Sequence, residues 1–479
     1  MTARGKWIVA LDIGTSGCRA AAVRPDGSFA AQCYTPLVPV RPAEGLSEYK
    51  AEELLEATRR VLHAVLEEVG PQQVAALAVA SQRSTVVLWD KTTGRSVGPV
   101  LTWEDGRAQA QAAQAAISQE EIHTKTGLYK TPFFSAPKIA WMLQHVPQAA
   151  QVLRQGNLVA APVASYIIWH LTGGKTLATD VTLAQRTLLF DIHTGSWSED
   201  LCRAFGVPAE VLPPILPSVA DYGAYVYQGV SIPVRVCVGD QQAAAAYFNL
   251  QLQDSLINYG TGAFWLYRAG EKAVLLPGML TSLAVQEQAG RNNYFLEGPV
   301  WAAGSILLWL KAQGMKFDEA DLQPLCLSAK HPVWFLPALG GLGAPYWDFT
   351  VSAAAEGLFP QTRTADWVAG TMRAIAFLLT DIASYLQENG YKLGNVQVSG
   401  GLSQVAYLTS FQADLLQRPL RLTPQPDATV LGAVRLAGGK AFAAGQLKDR
   451  TISPTLSAEK AHELYKQWQQ FLSRHRRIS

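Results

Sequence analysis

The chain has 479 residues, of which 49% are apolar and 16% are charged. A length about three times that of a common single domain predicts two large domains. Forty basic and 38 acidic residues leave a net charge of +2, which creates no overall field for nucleic acid or an anionic membrane. The composition excludes wholesale disorder and favours a small molecule as the partner.

The five cysteines are scattered, and none of them has the C-x-x-C spacing of a zinc or redox site. This pattern is typical of a reducing compartment, and we expect a cytoplasmic location. The first apolar run meets Asp12 after five residues and lacks a cleavage site, so it predicts no signal peptide. The uncharged stretch 155–174 contains Pro162 and His170, which favour a buried helix and a loop over a membrane span.

Short apolar runs alternate with longer helical patterns in the first half of the chain, as in α/β proteins. Apolar runs predict strands near residues 7–11, 20–23, 29–34, 74–80 and 86–89. The first two strands form a predicted hairpin around the small residues 14–17. Residues 51–69 have the apolar spacing of an amphipathic helix. A later strand ends at Gly239, and an alanine-rich helix is expected to begin at Asp240.

A second strand–turn–strand pattern like that of the first two strands lies past the midpoint of the chain. Residues 256–267 again predict a strand, a Gly-Thr turn and a strand, with Gly260 and Thr261 in the turn. Further along we expect a helix at 367–386, a strand at 395–399 ending at Gly400 and Gly401, a helix from about 404, a strand near 420–422 and a helix from about 428. The repeat predicts a duplicated unit with lobes 1–248 and 249–479 and a nucleotide in the cleft.

The turn after the first strand is a candidate phosphate site. Small residues at Gly14, Thr15 and Ser16 let backbone N–H groups and hydroxyls approach a phosphate, and Asp12 can hold a hydrated Mg²⁺. An ordinary hairpin with a solvated carboxylate is the alternative. The turn has neither the Walker spacing nor the G-x-G-x-x-G pattern, which disfavours a P-loop and a dinucleotide-binding fold.

Three further side chains are candidates for a polyol site. Asp240 lies at a strand end beside the predicted cleft, where it can accept a hydroxyl proton, although a helix N-cap is the alternative. Arg83 can clamp vicinal hydroxyls through its planar guanidinium, and Trp103 can cover the apolar face of a polyol. A surface ion pair and a core aromatic residue are the alternatives for these two positions.

In this order the motifs resemble the FGGY carbohydrate kinases of the actin/hexokinase/chaperone ATPase superfamily, most closely the glycerol kinase branch. The similarity runs over nearly the whole chain and includes a segment from Phe133 to His145 that looks like the family's first signature. It implies an α/β, two-lobed actin/hexokinase-like (ribonuclease H-like) fold with a duplicated sheet core. It also implies ATP- and Mg²⁺-dependent phosphorylation of a polyol or sugar hydroxyl, in a homodimer or homotetramer.

The resemblance assigns roles to individual residues. Asp240 would be the catalytic base, and Asp12 and Asp240 would hold Mg²⁺. The substrate would contact Arg83, Ser84, Trp103, Phe133, Asp240, Gln241 and Phe264. The nucleotide would contact Gly14, Thr15, Ser16, Arg19, Gly260, Thr261, Gly304, Leu308, Gly400, Gly401 and Val405.

Four of these positions differ from the glycerol kinase branch. Ser84 stands where that branch has Glu, and Phe133 stands where it has Tyr. Each change removes a hydrogen bond to a glycerol hydroxyl, a loss of about 1–3 kcal/mol. Leu308 and Val405 replace polar residues near the nucleotide. We expect an active kinase with a changed substrate; the alternatives are a weakly active relative that binds nucleotide or polyol for regulation, and an actin- or chaperone-like ATPase.

Overall fold

The computed structural model describes residues 7–24, 26–423, 427–438 and 450–476. The strands of the amino-terminal half are β1 Trp7–Ile13, β2 Gly17–Val23, β3 Phe29–Pro36, β4 Glu48–Tyr49, β5 Val74–Ser81, β6 Val86–Asp90, β7 Val100–Leu101, β8 Leu158–Pro162, β9 Thr179–Asp180, β10 Phe190–Asp191, β11 Ser196–Trp197, β12 Ile215–Leu216, β13 Ala224–Tyr227 and β14 Val230–Gly239. Its helices are α1 Ala51–Val69, α2 Gln109–Gln114, α3 Gln119–Thr126, α4 Ser135–His145, α5 Pro147–Arg154, α6 Val163–Leu171, α7 Val181–Gln185, α8 Glu199–Phe205 and α9 Asp240–Phe248.

The carboxyl-terminal half repeats the alternation with longer helices. Its strands are β15 Ser255–Tyr259, β16 Ala263–Gly270, β17 Leu280–Leu283, β18 Tyr294–Val300, β19 Trp334–Leu336, β20 Ala354–Glu356, β21 Val396–Ser399, β22 Leu420–Leu422 and β23 Arg450–Ile452. Its helices are α10 Gly304–Ala312, α11 Leu322–Ser328, α12 Thr364–Glu388, α13 Ala406–Leu416, α14 Ala428–Gly438 and α15 Ala458–His475.

Two large mixed sheets share one pattern around a hairpin. In the first sheet, with the order β13-β14-β5-β1-β2-β3, β1 is antiparallel to β2 and parallel to β5. In the second, with the order β17-β18-β16-β15-β21-β22-β23, β15 is antiparallel to β16 and parallel to β21. The duplicated unit predicted from the two Gly-Thr turns is therefore confirmed.

Each face of the first sheet is covered by a helix, which explains why its strands are apolar on both sides. Helix α1 buries its leucine and valine stripe against one face. On the other face, α9 and α14 pack against strands in which alanine recurs. Small side chains let these two helices approach closely, and Gly432 of α14 lies against the backbone carbonyl of Ala243 in α9. Helix α14 comes from the carboxyl-terminal half, so one apolar cluster joins the two halves.

Most predicted elements are confirmed, with differences of one to three residues at their ends. The prediction for residues 155–174 was wrong in part, since Leu158–Pro162 forms strand β8 before helix α6 begins. This strand pairs with β6 and is fully buried, which a single-sequence pattern does not distinguish from a buried helix. The helix expected from 404 begins at Ala406, after a 3₁₀ turn over Gly401–Gln404. Within the described ranges, no helix has the length and apolar character needed to cross a bilayer.

The α9–α14 contact gives the first testable prediction. A Gly432→Ala variant would place a methyl group on the Ala243 carbonyl, and the two helices would have to separate. Overpacking of this kind costs about 1–3 kcal/mol, so the thermal midpoint of unfolding should fall. The control is Gly98→Ala, whose new methyl group would meet Val146 at an ordinary 3.6 Å. Equal midpoints for the two variants would contradict the prediction.

Candidate active site

A cavity of about 200 Å³ lies where strands β5 and β14 end opposite the β15–β16 hairpin. The predicted residues that line it are Thr15, Ser16, Arg83, Ser84, Trp103, Phe133, Asp240, Gln241, Gly260, Thr261 and Phe264. Eight side chains or backbone segments that were not predicted also line it: Gln82, Phe134, Arg186, Gly262, Leu280, Glu297, Pro299 and Trp301. The carboxyl ends of parallel strands thus converge on the cavity, which is the usual place for a ligand in an open α/β sheet.

Each of the two Gly-Thr turns is closed by a backbone hydrogen bond, although the bond spans three residues in the first turn and two in the second. The N–H of Gly14 donates to the carbonyl of Gly17 at 3.0 Å, and the N–H of Gly260 donates to the carbonyl of Gly262 at 2.9 Å. Gly304 closes on the second turn, since a Cβ at this position would lie 2.7 Å from the Gly260 carbonyl oxygen. Both turns therefore present backbone N–H groups and a threonine hydroxyl, which suits phosphate oxygens.

Two carboxylates of the amino-terminal half, Asp12 and Asp240, are close enough for their charges to interact. Burial and then the charge of Asp240 raise the pKa of Asp12 to about 7, and Arg19 opposes this shift. Burial also raises the pKa of Asp240, while the nearby Arg83 lowers it. Mutual repulsion of this kind is relieved by a cation between the two groups. No cluster of three or more His, Cys, Asp or Glu side chains is found in the described ranges, so a metal here would need other ligands.

A buried ion cluster forms the floor of the cavity. Glu297 of β18 accepts from Arg83 Nη1 at 2.9 Å and from Nη2 at 2.8 Å, and it also accepts from Arg186. Ser282 Oγ donates to the same carboxylate at 2.8 Å. Burial alone would raise the pKa of Glu297, but the charges of Arg186 and Arg83 outweigh it and lower that pKa to about 2.

The cluster changes the expected role of Arg83. Its planar fork is occupied by Glu297, so it does not point freely at vicinal hydroxyls. The remaining Nε lies 3.5 Å from Asp240 Oδ1. Arg186 keeps an Nε that has no hydrogen-bond partner in the described part of the chain. Arg186, which lines the cavity, thus keeps one unpaired donor, although that nitrogen is itself buried.

Trp103 connects the substrate side of the cavity to the first turn. Its indole N–H donates to Thr15 Oγ1 at 2.8 Å, and the hydroxyl of Tyr49 donates to the Thr15 carbonyl at 2.5 Å. The indole therefore lines the cavity as predicted, but its polar atom is used by the protein. Phe133 lines the cavity from another segment, and its ring lies 5.7 Å from that of Trp301 and 6.4 Å from that of Phe349.

Asp240 is the first residue of α9 and not its N-cap, which is Gly239. The carboxylate accepts from the N–H of Gln241 at 2.7 Å and lies 3.5 Å from Arg83 Nε, and 26% of the side chain is exposed. Gln241 Oε1 accepts from Asn258 Nδ2 at 2.9 Å, which links the two halves beside it. Of the two interpretations left open by the sequence, the geometry favours a carboxylate available for proton transfer.

The other predicted residues lie outside the cavity lining. Asp12 lies in β1, and Gly14 is the first residue of the turn that follows this strand. Arg19 forms an ion pair with Asp427. Leu308 is 66% exposed on α10, and Val405 is buried before α13. Gly400 lies against the Tyr259 carbonyl, whereas a Cβ on Gly401 would meet open space.

The family models of the FGGY carbohydrate kinases match both halves of the chain, the amino-terminal domain over residues 7–246 and the carboxyl-terminal domain over residues 255–441. The chain belongs to the FGGY family of carbohydrate kinases. Glycerol kinase from Limosilactobacillus reuteri is 34% identical over 98% of each chain, and glycerol kinase from Xanthobacter autotrophicus is 35% identical over 95% of each.

Solved structures agree with this family. Glycerol kinase from Plasmodium falciparum, solved with ADP, superposes with a TM-score of 0.87 at 25% identity, covering 99% of both chains. Xylulose kinase from Rhodospirillum rubrum has a TM-score of 0.82 at 23% identity, covering 98% of both. The predicted two-lobed actin/hexokinase-like fold is confirmed.

Membership in the FGGY family makes ATP the expected phosphoryl donor, and the cavity fits it. Gly-Thr turns from the two halves both line the cleft, which suits a chain of phosphates. The pair Asp12 and Asp240 fits Mg²⁺, because this ion is held by one or two carboxylates together with waters and substrate phosphates.

Two charged residues of this FGGY chain were not assigned a role from sequence. Glu297 is one charge in an otherwise apolar strand, and a buried lone charge requires a partner. The sequence thus indicates that Glu297 has a cationic partner, although it does not identify which residue that is. Arg186 lies in one of the motifs that carry the resemblance, but no residue pattern near it indicates a ligand.

A Glu297→Gln variant tests the ion cluster. Removing the carboxylate leaves the buried Arg186 guanidinium without its paired anion and Arg83 with only Asp240, which lies 3.5 Å from its Nε. Breaking a buried pair in this way costs about 3–5 kcal/mol of unfolding free energy. Glu356→Gln is the control, because Glu356 pairs with Arg474 at the surface, where such pairs contribute about 1 kcal/mol or less. Urea unfolding of both variants measures the difference, and equal losses would contradict the buried cluster.

The pKa shift of Glu297 also predicts how the loss of unfolding free energy in Glu297→Gln depends on pH. The pKa of Glu297 is lowered from 4.5 when unfolded to about 2 when folded. Its contribution is therefore complete above pH 4.5 and is lost as the pH falls toward 2. The difference in unfolding free energy between the wild type and Glu297→Gln should stay constant from neutral pH to about 5 and become smaller below that.

Proposed function

We propose that this chain transfers the γ-phosphoryl group of ATP to a hydroxyl of a small polyol or sugar, with residues 1–248 and 249–479 as the two lobes. One observation carries the proposal: an available carboxylate, Asp240, shares a cavity with two phosphate-type turns from the two halves. The family and its glycerol kinase relatives support the same reaction.

Asp240 is the proposed catalytic base. Burial raises its pKa, which strengthens it as a proton acceptor, and the positive charge of Arg83 opposes that rise. The substrate hydroxyl donates its proton to Asp240 late in the transfer, as its oxygen bonds to the phosphorus atom. Gln241, held by Asn258, orients the start of the helix that carries the base.

The proposed nucleotide site combines both turns. Thr15, Ser16 and Thr261 offer hydroxyls to phosphate oxygens, beside the backbone of Gly14 and Gly260. The remaining predicted nucleotide contacts are Arg19, Gly304, Leu308, Gly400, Gly401 and Val405. Asp12 and Asp240 would hold Mg²⁺, which supplies charge neutralisation at the phosphates. The ADP in the Plasmodium falciparum glycerol kinase structure supports a nucleotide in this fold.

The proposed substrate is a polyol or sugar larger than glycerol. Ser84 and Phe133 both line the cavity, and they lack the carboxylate and the hydroxyl that the glycerol kinase branch has there. A small side chain at Ser84 leaves room for further carbons, and Arg186 offers donors to an additional hydroxyl or carbonyl oxygen. Glycerol is the competing candidate, because the relatives that match the chain are glycerol kinases.

A location in the cytoplasm is proposed on the cysteines, since all five are free thiols, as expected in a reducing compartment. Assembly as a homodimer or homotetramer is carried over from the family and stays a prediction.

Release of ADP from Mg·ATP tests the reaction, measured with glycerol, erythritol, ribitol, xylulose, ribulose and gluconate in turn. One compound should give strong turnover, and Asp240→Asn should lower its kcat by about 100-fold or more, because the base is lost. Asp221→Asn is the control, since Asp221 is 73% exposed and pairs weakly with Arg235. No ADP release with retained ATP binding would instead indicate the regulatory relative.

A Ser84→Glu/Phe133→Tyr double variant tests the substrate assignment. Each restored hydrogen bond is worth about 1–3 kcal/mol, so kcat/KM for glycerol should rise about 5- to 160-fold per substitution. The preferred compound of the panel should lose activity, because the added side chains fill its space. Steady-state kinetics with glycerol and with the preferred compound distinguishes a change of substrate preference from a general loss of activity. High glycerol activity in the wild type, unchanged in the variant, would contradict the assignment.

A further inference from the structure

Lys138 is a buried lysine without a carboxylate partner. It lies in the first turn of α4 with 0% of its surface exposed, and it forms no ion pair in the part of the chain that the structure describes. Lysine is almost never fully buried unless it is paired, since removing an ammonium group from water is unfavourable. A specific use for its charge must offset that penalty.

The ammonium group donates to three backbone carbonyls. Nζ lies 2.5 Å from the carbonyl oxygen of Thr102, 2.6 Å from that of Phe133 and 3.2 Å from that of Ser84. Three donors on one nitrogen thus meet three acceptors, which is the full hydrogen-bonding capacity of an ammonium group. Burial lowers the pKa of Lys138 to about 7, and the three carbonyl acceptors favour the charged form, whose bonds are stronger than those between neutral groups.

The three carbonyls belong to three separate segments of the chain. Ser84 follows β5, Thr102 follows β7, and Phe133 precedes α4. Ser84, Phe133 and Trp103, which is the neighbour of Thr102, all line the cavity. Lys138 itself does not line it. One buried nitrogen therefore holds the backbone of three cavity walls from behind.

The local sequence explains why these carbonyls accept from a side chain. The residue four positions after Phe133 is Pro137, which has no N–H to donate to it. Ser84 has a φ of 64°, in the left-handed region, and lies between β5 and β6, outside the strand hydrogen bonding. Ser135 Oγ donates to the same carbonyl at 3.3 Å, and Trp103 N–H donates to Thr85 Oγ1 at 3.1 Å. Side chains thus replace the missing ladder bonds.

We propose that Lys138 is a positioning residue for the polyol site, which sets the relative placement of Ser84, Trp103 and Phe133 without contacting the substrate. This inference rests on the proposed polyol kinase function. A displacement of about 1 Å in such walls can change catalysis by about 100-fold. The nucleotide turns do not contact Lys138 directly, and Trp103 alone of the three walls bonds to Thr15, so the effect should be larger on the polyol than on ATP.

Lys138→Met is the test variant, because methionine fills a similar volume and cannot donate to the three carbonyls. The KM for the preferred polyol should rise about 10- to 100-fold, while the KM for ATP stays within about threefold of the wild type. Quenching of the fluorescence of Trp103 and Trp301 by the polyol measures its dissociation constant without catalysis. This dissociation constant should rise by the same factor as the KM.

Ile139→Ala is the matched control. Ile139 is also fully buried in α4, but it belongs to the apolar cluster beneath the helix and does not line the cavity. This variant lowers the thermal midpoint by removing core volume, and its polyol KM should remain that of the wild type. Lys125→Met, on the surface, controls for the loss of a lysine as such. Lys138→Gln keeps two donors and should give a KM between those of Met and Lys.

The outcomes separate the two proposals. A wild type that releases no ADP with any polyol and shows no polyol quenching overturns the proposed function. An active wild type whose polyol KM is the same as in Lys138→Met overturns the positioning role alone. Equal changes in the KM of polyol and ATP, or failure of both Lys138 variants to fold, also overturn it, because Lys138 would then support the fold in general. A selective rise in polyol KM, absent in Ile139→Ala, supports it.

Discussion

Glu297 places one negative charge between two guanidiniums in the interior of the molecule. Arg83 comes from the amino-terminal sheet and Glu297 from the carboxyl-terminal sheet, so the cluster joins the two halves at the cavity floor. A buried carboxylate needs such partners, and two arginines sharing it leave Arg186 with an unused donor. The orientation of Arg83, and through it the charge environment of Asp240, depends on this ion cluster.

The rest of the cavity follows from close backbone approach. One glycine lets a segment approach the second turn, and another lets helices from the two halves meet without a side chain between them. Gly304 admits the carbonyl of Gly260, and Gly432 admits that of Ala243, at the helix that begins with Asp240. The duplicated sheets thus present two similar turns to a single cleft, an arrangement suited to a chain of phosphates.

The two sides of the cavity are held by opposite means. On the carboxyl-terminal side, an anion fixes two cationic side chains. On the amino-terminal side, the cation of Lys138 fixes three neutral carbonyls, which carry Ser84, Trp103 and Phe133. Both groups are fully buried, so neither competes with water for its partners. Rigid walls of this kind favour one substrate shape over others.

The sequence by itself determined the elements and many of the site positions. Helix α1, the two Gly-Thr hairpins and the junction at Asp240 are set by local periodicity and turn chemistry, which act over a few neighbouring residues. Only the tertiary structure decided which charges pair. Arg83 and Glu297 are 214 residues apart, and Trp103 and Thr15 are 88 apart. Such contacts depend on how the sheets pack, and no local pattern records them, so the occupied fork of Arg83 and the carbonyl partners of Lys138 emerge from the fold alone.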